Sequence, residues 1–175
     1  MTDLALVWDA DAMAADLLLG SGRLATDDGM RTAILISLFT DARAADDETL
    51  PEAGGDRRGW WGDAYAREPR PDAGTARDPD RIGSLLWLLS RSKITPRTLA
   101  QAKQACDEAL AWLVRDGIAS AVRVVIEAQV RPGQSTPDLM AIAVEIDRPT
   151  GPNRQRHDFT WDASTATITA HPEPA

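Results

Sequence analysis

The spacing of hydrophobic residues changes at Gly117. Between Thr95 and Gly117 the apolar positions recur every three or four residues, which is typical of one face of a helix. They are Leu99, Ala102, Cys106, Ala109, Leu110 and Leu113. Thr95-Pro96 provides an N-cap followed by proline in the first turn, and Gly117 provides a stop. We therefore expect a helix here, with Cys106 in a packing role rather than as a nucleophile.

After Gly117 the apolar residues alternate with polar ones, which is typical of strands with one buried face. Two alternating runs flank the turn "RPGQSTPD" and predict a hairpin over residues 121–147. The segments "HDFTW" and "ATITA" predict a second, shorter pair across a turn at 162–164. The polar run "GPNRQR" precedes "HDFTW", so we predict that this strand is an exposed edge. Its Phe159 and Trp161 are then candidate partner-binding residues.

The N-terminal part predicts short strands and one helix. "LALVW" is a brief apolar run, and "DLLLGSGRLATDDG" predicts two strands around Gly20-Ser21-Gly22. Thr26, Asp27 and Asp28 are N-cap candidates for a helix through "MRTAILISLF".

No sustained period spans residues 41–79, so we expect a long loop there. Asp78-Pro79 predicts a further helix start, with Ile82, Leu85, Leu86 and Leu89 on one face. These elements predict an α+β fold in which helices pack on one face of a mainly antiparallel sheet, with a long loop insertion. We expect one domain over residues 1–170 and a disordered tail over 171–175.

Composition excludes several classes of protein. Of 175 residues 43% are hydrophobic, as is usual for a globular domain. The longest apolar stretches, "AILISLF" and "LLWLL", are too short to span a membrane, and the acidic N-terminus does not favour an export signal. The lone cysteine suits assembly in a reducing cytoplasm.

Charge is distributed unevenly. The net charge of −8 argues against nucleic-acid binding. Residues 1–56 carry 3 basic and 12 acidic side chains, whereas residues 57–103 carry 10 basic and 5 acidic ones. Such a division is either ordinary solvated surface or a charge-segregated surface that orients partners in an assembly.

The segment "GGDRRGWWGD" (residues 54–63) holds two of the six tryptophans inside the long loop. Trp and Arg are enriched at protein–protein hot spots, and glycines allow close approach of a partner. We predict that Arg57, Arg58, Trp60 and Trp61 bind a partner and anchor the loop. The alternative is that the tryptophans fold back onto the helices with an arginine stacked on them.

The sequence contains few patterns that indicate catalysis, metal binding or cofactor binding. The sequence has no phosphate-binding glycine loop, and its two histidines are too far apart to predict a metal site, so neither a metal nor a cofactor is expected. Asp56 and Asp63 bracket the two tryptophans, as in a cell-wall-acting glycosidase. The neighbouring arginines would favour the charged carboxylates, which opposes a proton-donor role. We therefore expect no catalytic residues and no enzyme.

Several segments together resemble the Mu-like phage tail protein family named after Mu gene 46. They are "LALVWD", "LATDDGMRTAILISLFTDARA", "GGDRRGWWGD", "GSLLWLLSRSKITPRTLAQAKQACDEALAWLVRDGIA" and "VEIDRP". The layout is also distantly similar to the gene-25-type wedge component of contractile tails and type VI secretion systems. Thr40 and Asp56-Arg57 fall near that component's helix-ending threonine and Gly-Glu-Arg-like loop.

The resemblance implies a structural role within a symmetric, multi-subunit assembly. It implies a baseplate wedge subunit that joins the wedge scaffold to the tail tube or sheath. The partners would be other wedge proteins and sheath or tube subunits, with no nucleic acid and no membrane. Assembly in the host bacterial cytoplasm and final location in the virion tail follow from the same resemblance.

Overall fold

The computed structural model describes residues 3–9, 14–27, 30–64, 82–149 and 154–171. The strands are β1 Asp3–Leu4, β2 Leu6–Asp9, β3 Ala14–Leu17, β4 Leu19–Gly20, β5 Arg23–Leu24, β6 Thr26–Asp27, β7 Ala121–Gln129, β8 Leu139–Asp147, β9 Gln155–Asp162 and β10 Thr167–Ala170. The α-helices are α1 Arg31–Phe39 and α2 Pro96–Arg115, and short 3₁₀ turns cover Trp61–Ala64 and Leu86–Leu89. All the strand pairs are antiparallel. The predicted α+β class is confirmed.

The largest sheet has the order β10-β9-β8-β7. Its apolar residues and those of both helices form one hydrophobic core, in which Ile34, Leu110, Leu113, Val144 and Phe159 are almost fully buried. The hairpin predicted over residues 121–147 is confirmed, with Ile142 opposite Ile126 on β7 and opposite Phe159 on β9.

Helix α2 begins and ends where the sequence predicts. The Thr95 hydroxyl accepts a hydrogen bond from the Thr98 backbone N–H at 3.2 Å, which satisfies one of the free amides of the first turn. Gly117 follows the helix with φ 71°, a conformation that glycine adopts without steric cost. Cys106 is fully buried, and burial raises the pKa of its thiol, as expected for a packing residue.

The predicted capping of α1 is wrong. Thr26 and Asp27 form β6 and pair with β1, so the chain is still extended at these positions; Asp28 lies outside the described residues. The N-cap is Met30, which has φ 67° and makes no side-chain capping bond.

The helix predicted to begin at Asp78-Pro79 does not extend over residues 82–85. The described part contains only the 3₁₀ turn Leu86–Leu89, and the predicted start lies outside the described residues. Ser84 explains the difference because it pairs with the chain that leaves α1. Its N–H donates to the Thr40 carbonyl at 2.9 Å, and its carbonyl accepts from the Ala42 N–H at 3.0 Å. A residue paired in this way is held extended and cannot join a helix.

The prediction that "HDFTW" is an exposed edge is also wrong. Strand β9 lies between β8 and β10, so the edges of this sheet are β7 and β10. Phe159 and Trp161 are only 1% and 3% exposed. The central position of β9 cannot be predicted from the sequence, because inward-facing residues alternate with outward-facing ones in central and edge strands alike. Pairing even includes His171, whose N–H donates to the Asp158 carbonyl at 2.9 Å, so the predicted tail begins too early.

Arg131 joins the β7–β8 connection to the turn between β9 and β10. Its guanidinium contacts Asp138 at 2.7 Å and also pairs with Asp162. Burial alone would raise the pKa of Asp162, but hydrogen bonds from Ser164 and Arg131 outweigh it and lower that pKa to about 2. Asp162 is therefore charged at neutral pH and holds the two loops together.

Strands β1 to β6 form a small N-terminal β unit, defined here as residues 3–27. Three chain segments meet in a cycle of main-chain hydrogen bonds: Ala5 N–H to Ala25 O, Ala25 N–H to Leu18 O, and Leu18 N–H to Ala5 O, all 2.8–2.9 Å. The two strands predicted around Gly20-Ser21-Gly22 are confirmed as β4 and β5. The Thr32 hydroxyl attaches the unit to α1, donating to Leu4 O at 3.1 Å and accepting from Leu6 N–H at 3.2 Å.

Candidate docking surface

The described part of the long loop, residues 41–64, lies beside the 3₁₀ turn Leu86–Leu89. The loop begins at a short parallel bridge between Asp41 and Ser84. The buried indole of Trp87 donates from Nε1 to the Ala42 carbonyl at 2.8 Å. The loop therefore starts from a fixed point on the hydrophobic core.

Arg58 fixes the far part of the loop to the same turn. Its guanidinium carbon lies 4.5 Å from the centroid of the Trp87 ring, a cation–π contact. Its Nη1 lies 2.5 Å from Oδ2 of Asp41, and its backbone N–H donates to Oδ1 of Asp56 at 3.1 Å. An arginine does stack on a tryptophan, but the tryptophan is Trp87 and not one of the neighbouring pair.

Arg57 holds the loop against itself. Its side chain donates to the Asp46 carbonyl at 2.7 Å and also to the Ala45 carbonyl. Its own carbonyl accepts from the Ala44 N–H at 3.0 Å. The two adjacent arginines therefore hold the two arms of the loop in place through the contacts of their guanidinium groups, without burying further apolar residues.

Gly59 lets the chain turn between the arginines and the tryptophans. It has φ 106°, and a Cβ built there would lie 2.8 Å from Cβ of Arg43 and 2.9 Å from Oδ2 of Asp63. Any larger residue would be strained and would displace these neighbours. The turn therefore depends on glycine.

Hydrogen bonds fix the backbone at Trp60 and Trp61, whereas their side chains are exposed. The Trp60 N–H donates to Oδ2 of Asp63, and the Asp63 N–H donates to the Trp60 carbonyl, both at 3.0 Å. The two rings contact each other with centroids 4.8 Å apart. Trp60 is 37% exposed and Trp61 is 74% exposed. The arginines anchor the loop, and the tryptophans project from it. We call the two rings the tryptophan surface.

Asp56 and Asp63 both serve the loop backbone. Each carboxylate accepts a main-chain N–H two or three residues away in sequence, which accounts for both residues without catalysis. Among the described residues, no three His, Cys, Asp or Glu side chains are grouped so that they could hold a metal ion.

Two residues that support the loop are not predicted from the sequence. Asp41 and Trp87 contact the guanidinium of Arg58, yet Trp87 lies inside the apolar run "LLWLL", for which the sequence predicts only a helical face formed by its leucines. A buried indole N–H needs an acceptor, so a tryptophan in a core run does indicate that a polar chain segment passes over it. Phe159 and Trp161, in contrast, are buried in the sheet, away from any exposed edge.

Within the described ranges, no helix has both the length and the apolar character needed to cross a membrane.

Comparison with known proteins assigns the chain to a class of phage proteins. It belongs to the family described as "Phage protein GP46", which matches residues 30–153. Over 127 residues the chain is 46% identical to "Baseplate protein gp46" of Escherichia phage Mu, covering 73% of this chain and 78% of that protein. Over 146 residues it is 38% identical to "Mu-like prophage FluMu protein gp46" of Haemophilus influenzae, covering 83% and 85%. The predicted membership of the Mu gene 46 family is confirmed.

Proposed function

We propose that this protein is a non-enzymatic structural subunit of a phage tail baseplate. The observation that carries the proposal is its 46% identity, over most of both chains, to a protein named as a baseplate component. In finer terms it is a wedge subunit that links the wedge scaffold to the tail tube or sheath, within a symmetric, multi-subunit assembly. It is assembled in the bacterial cytoplasm and ends in the virion tail.

The tryptophan surface gives this proposal a physical basis. A solvent-exposed indole gains little for the monomer, whereas its burial in a partner's pocket contributes several kcal/mol, of the order seen at interface hot spots. Arg58, Arg57 and Gly59 fix the backbone beneath the rings, so little loop entropy is lost on binding. A neighbouring wedge protein is the partner that we assign to this surface.

The proposal is tested by complementing a phage that lacks this gene with a variant carrying both Trp60→Ala and Trp61→Ala. The variant should keep the wild-type circular dichroism spectrum and be absent from purified tails. Val130→Ala, which trims an exposed apolar residue elsewhere, is the control and should be incorporated normally. Infectious particles containing the double variant would contradict the docking role, and an unfolded double variant would show that the rings serve the fold instead.

The alternative, a cell-wall-acting glycosidase using Asp56 or Asp63, is tested directly. Purified wild-type protein should release no soluble fragments from peptidoglycan. The combined Asp56→Asn and Asp63→Asn variant keeps an acceptor oxygen at each position, so the loop should persist. Fragment release by the wild type that the variant loses would overturn the non-enzymatic assignment.

A further inference from the structure

Strand β7 forms a long edge of the large sheet. It stands at one end of the order β10-β9-β8-β7 and pairs with β8 along all nine of its residues, without a bulge. Within the described ranges, no strand pairs with its other side. Edge strands are usually protected by proline, lysine, a bulge or short length, and β7 has none of these. Its outward N–H and C=O groups can therefore accept a further strand.

A groove follows this edge. It has a volume of about 840 Å³ and is lined by Val122 and Arg123, from opposite faces of β7, and by Ala111 and Val114 of α2. Because both faces of the strand line the groove, it opens at the edge, and α2 leaves the edge accessible. Val114 and Val125 are 46% and 40% exposed there. The edge therefore offers backbone hydrogen bonds beside an apolar surface.

The sequence of β7 selects a second copy of the same strand. If two copies run antiparallel with Val125 opposite itself, Arg123 of each copy lies opposite Glu127 of the other, and Val124 lies opposite Ile126. Directly opposite residues are the pairs that stabilise a sheet, and here they match in charge and in apolar character. Centring the two strands on Arg123 or on Glu127 instead would bring like charges together. The pattern therefore favours one register.

Both charged residues are accessible for this pairing. Arg123 and Glu127 are exposed. Within the described ranges, the Glu127 carboxylate has no ion pair and no hydrogen bond. Arg123 donates to Glu145 through Nη1 at 3.1 Å, which leaves its other N–H groups for a second carboxylate. Two Arg–Glu pairs can therefore form between the copies without breaking a contact of the monomer.

We propose that the free protein dimerises by antiparallel pairing of β7 with β7 of a second copy, centred on Val125. The two four-stranded sheets then join into one sheet of eight strands. The contact uses the same surface on both copies, so it closes after two subunits. It also covers an edge that would otherwise attract unrelated strands. The inference concerns the protein before assembly and does not depend on the baseplate function.

The test compares two charge reversals of the full chain, Arg123→Glu and Glu127→Arg, by analytical ultracentrifugation. The wild type should show a monomer–dimer equilibrium. Each reversal puts like charges opposite each other twice in every dimer, so the dissociation constant should rise about tenfold or more. An equimolar mixture of the two variants should restore dimerisation, because each arginine of the mixed dimer again faces a glutamate. Glu48→Arg makes the same charge change at an exposed position outside β7 and should dimerise like the wild type.

Three results would overturn the inference: a wild type that stays monomeric, reversals that do not weaken the dimer, and a mixture that does not recover it. Circular dichroism checks that the variants are folded. Arg123→Glu should remain folded because Glu145 keeps Arg154 and Arg156 at 4.0 Å and 3.9 Å.

Val125→Cys decides the matter even if a reversal unfolds the protein. Residues directly opposite in an antiparallel pair have Cα atoms about 4.5–5.5 Å apart, which a disulfide can span. Mild oxidation should therefore link two copies of this variant, whereas the native Cys106 is buried. Val130→Cys, an exposed position beyond the end of β7, is the control and should link far more slowly. Equal rates for the two variants would contradict pairing centred on Val125.

Discussion

The loop 41–64 and the helix–sheet body use the same residue type in opposite ways. In the body, Trp87 and Trp161 are buried. The indoles of Trp87 and of the half-buried Trp112 donate to Ala42 and Ser37 respectively. In the loop, the rings of Trp60 and Trp61 contact each other and are 37% and 74% exposed, while arginines and aspartates hold the backbone. Burial of apolar side chains stabilises the helix–sheet body, whereas polar contacts stabilise the loop.

This difference shows where each region can tolerate change. A packed core loses both transfer free energy and packing when a large side chain is removed. An exposed ring on a polar scaffold adds little apolar burial to the monomer, so its exposure favours a contact outside the monomer. Stability and assembly should therefore respond to different tryptophans.

The largest effect is expected from Trp161→Ala in strand β9. Trp161 is 3% exposed and lies between Met140 on β8 and Ile168 on β10, so its removal leaves a cavity inside the sheet. The free energy of unfolding should fall by about 3–5 kcal/mol. Urea denaturation followed by circular dichroism measures this, and a loss below about 1 kcal/mol would mean that Trp161 is not a core residue.

An intermediate effect is expected from Arg58→Ala in the loop. The substitution removes the cation–π contact with Trp87 and the ion pair with Asp41, together on the order of 1 kcal/mol. Hydrogen exchange at the Ala44 amide, which bonds to the neighbouring Arg57, should become about fivefold faster. Lys103→Ala breaks an exposed pair with Asp107 on α2, outside the loop, and is the control that should leave Ala44 unchanged. Equal acceleration in both variants would mean that Arg58 does not anchor the loop.

The sequence predicts the parts of the fold that local periodicity encodes. Helix α2, with its Thr95 cap and Gly117 stop, and the β7–β8 hairpin are long periodic elements, and both are confirmed. The order of strands in the sheet depends on which segments meet across long sequence distances. Alternation in "HDFTW" does not record whether one or two strands flank it, so the edge prediction was wrong.

The assignment of "RRGWW" to a partner-binding surface stays a prediction, whereas the way the loop is anchored is not predicted from the sequence. Arg58 stacks on Trp87, a residue 29 positions away that no local pattern connects with it. Similarly, the Ser84 bridge to Asp41 replaces the helix that the apolar spacing of Ile82, Leu85 and Leu86 favours. Tertiary pairing overrides local propensity where the segment is short.

The smallest effect on stability is expected from Trp61→Ala. Trp61 is 74% exposed, and its backbone belongs to a turn that the Asp63 carboxylate and main-chain bonds maintain, so the substitution leaves the anchors intact. The free energy of unfolding should change by no more than about 0.5 kcal/mol, as for surface substitutions in general. Urea denaturation beside Trp161→Ala compares the same chemical change in the two regions. A loss approaching that of Trp161→Ala would place Trp61 in the fold's own packing, and the tryptophan surface could then no longer be assigned to a partner.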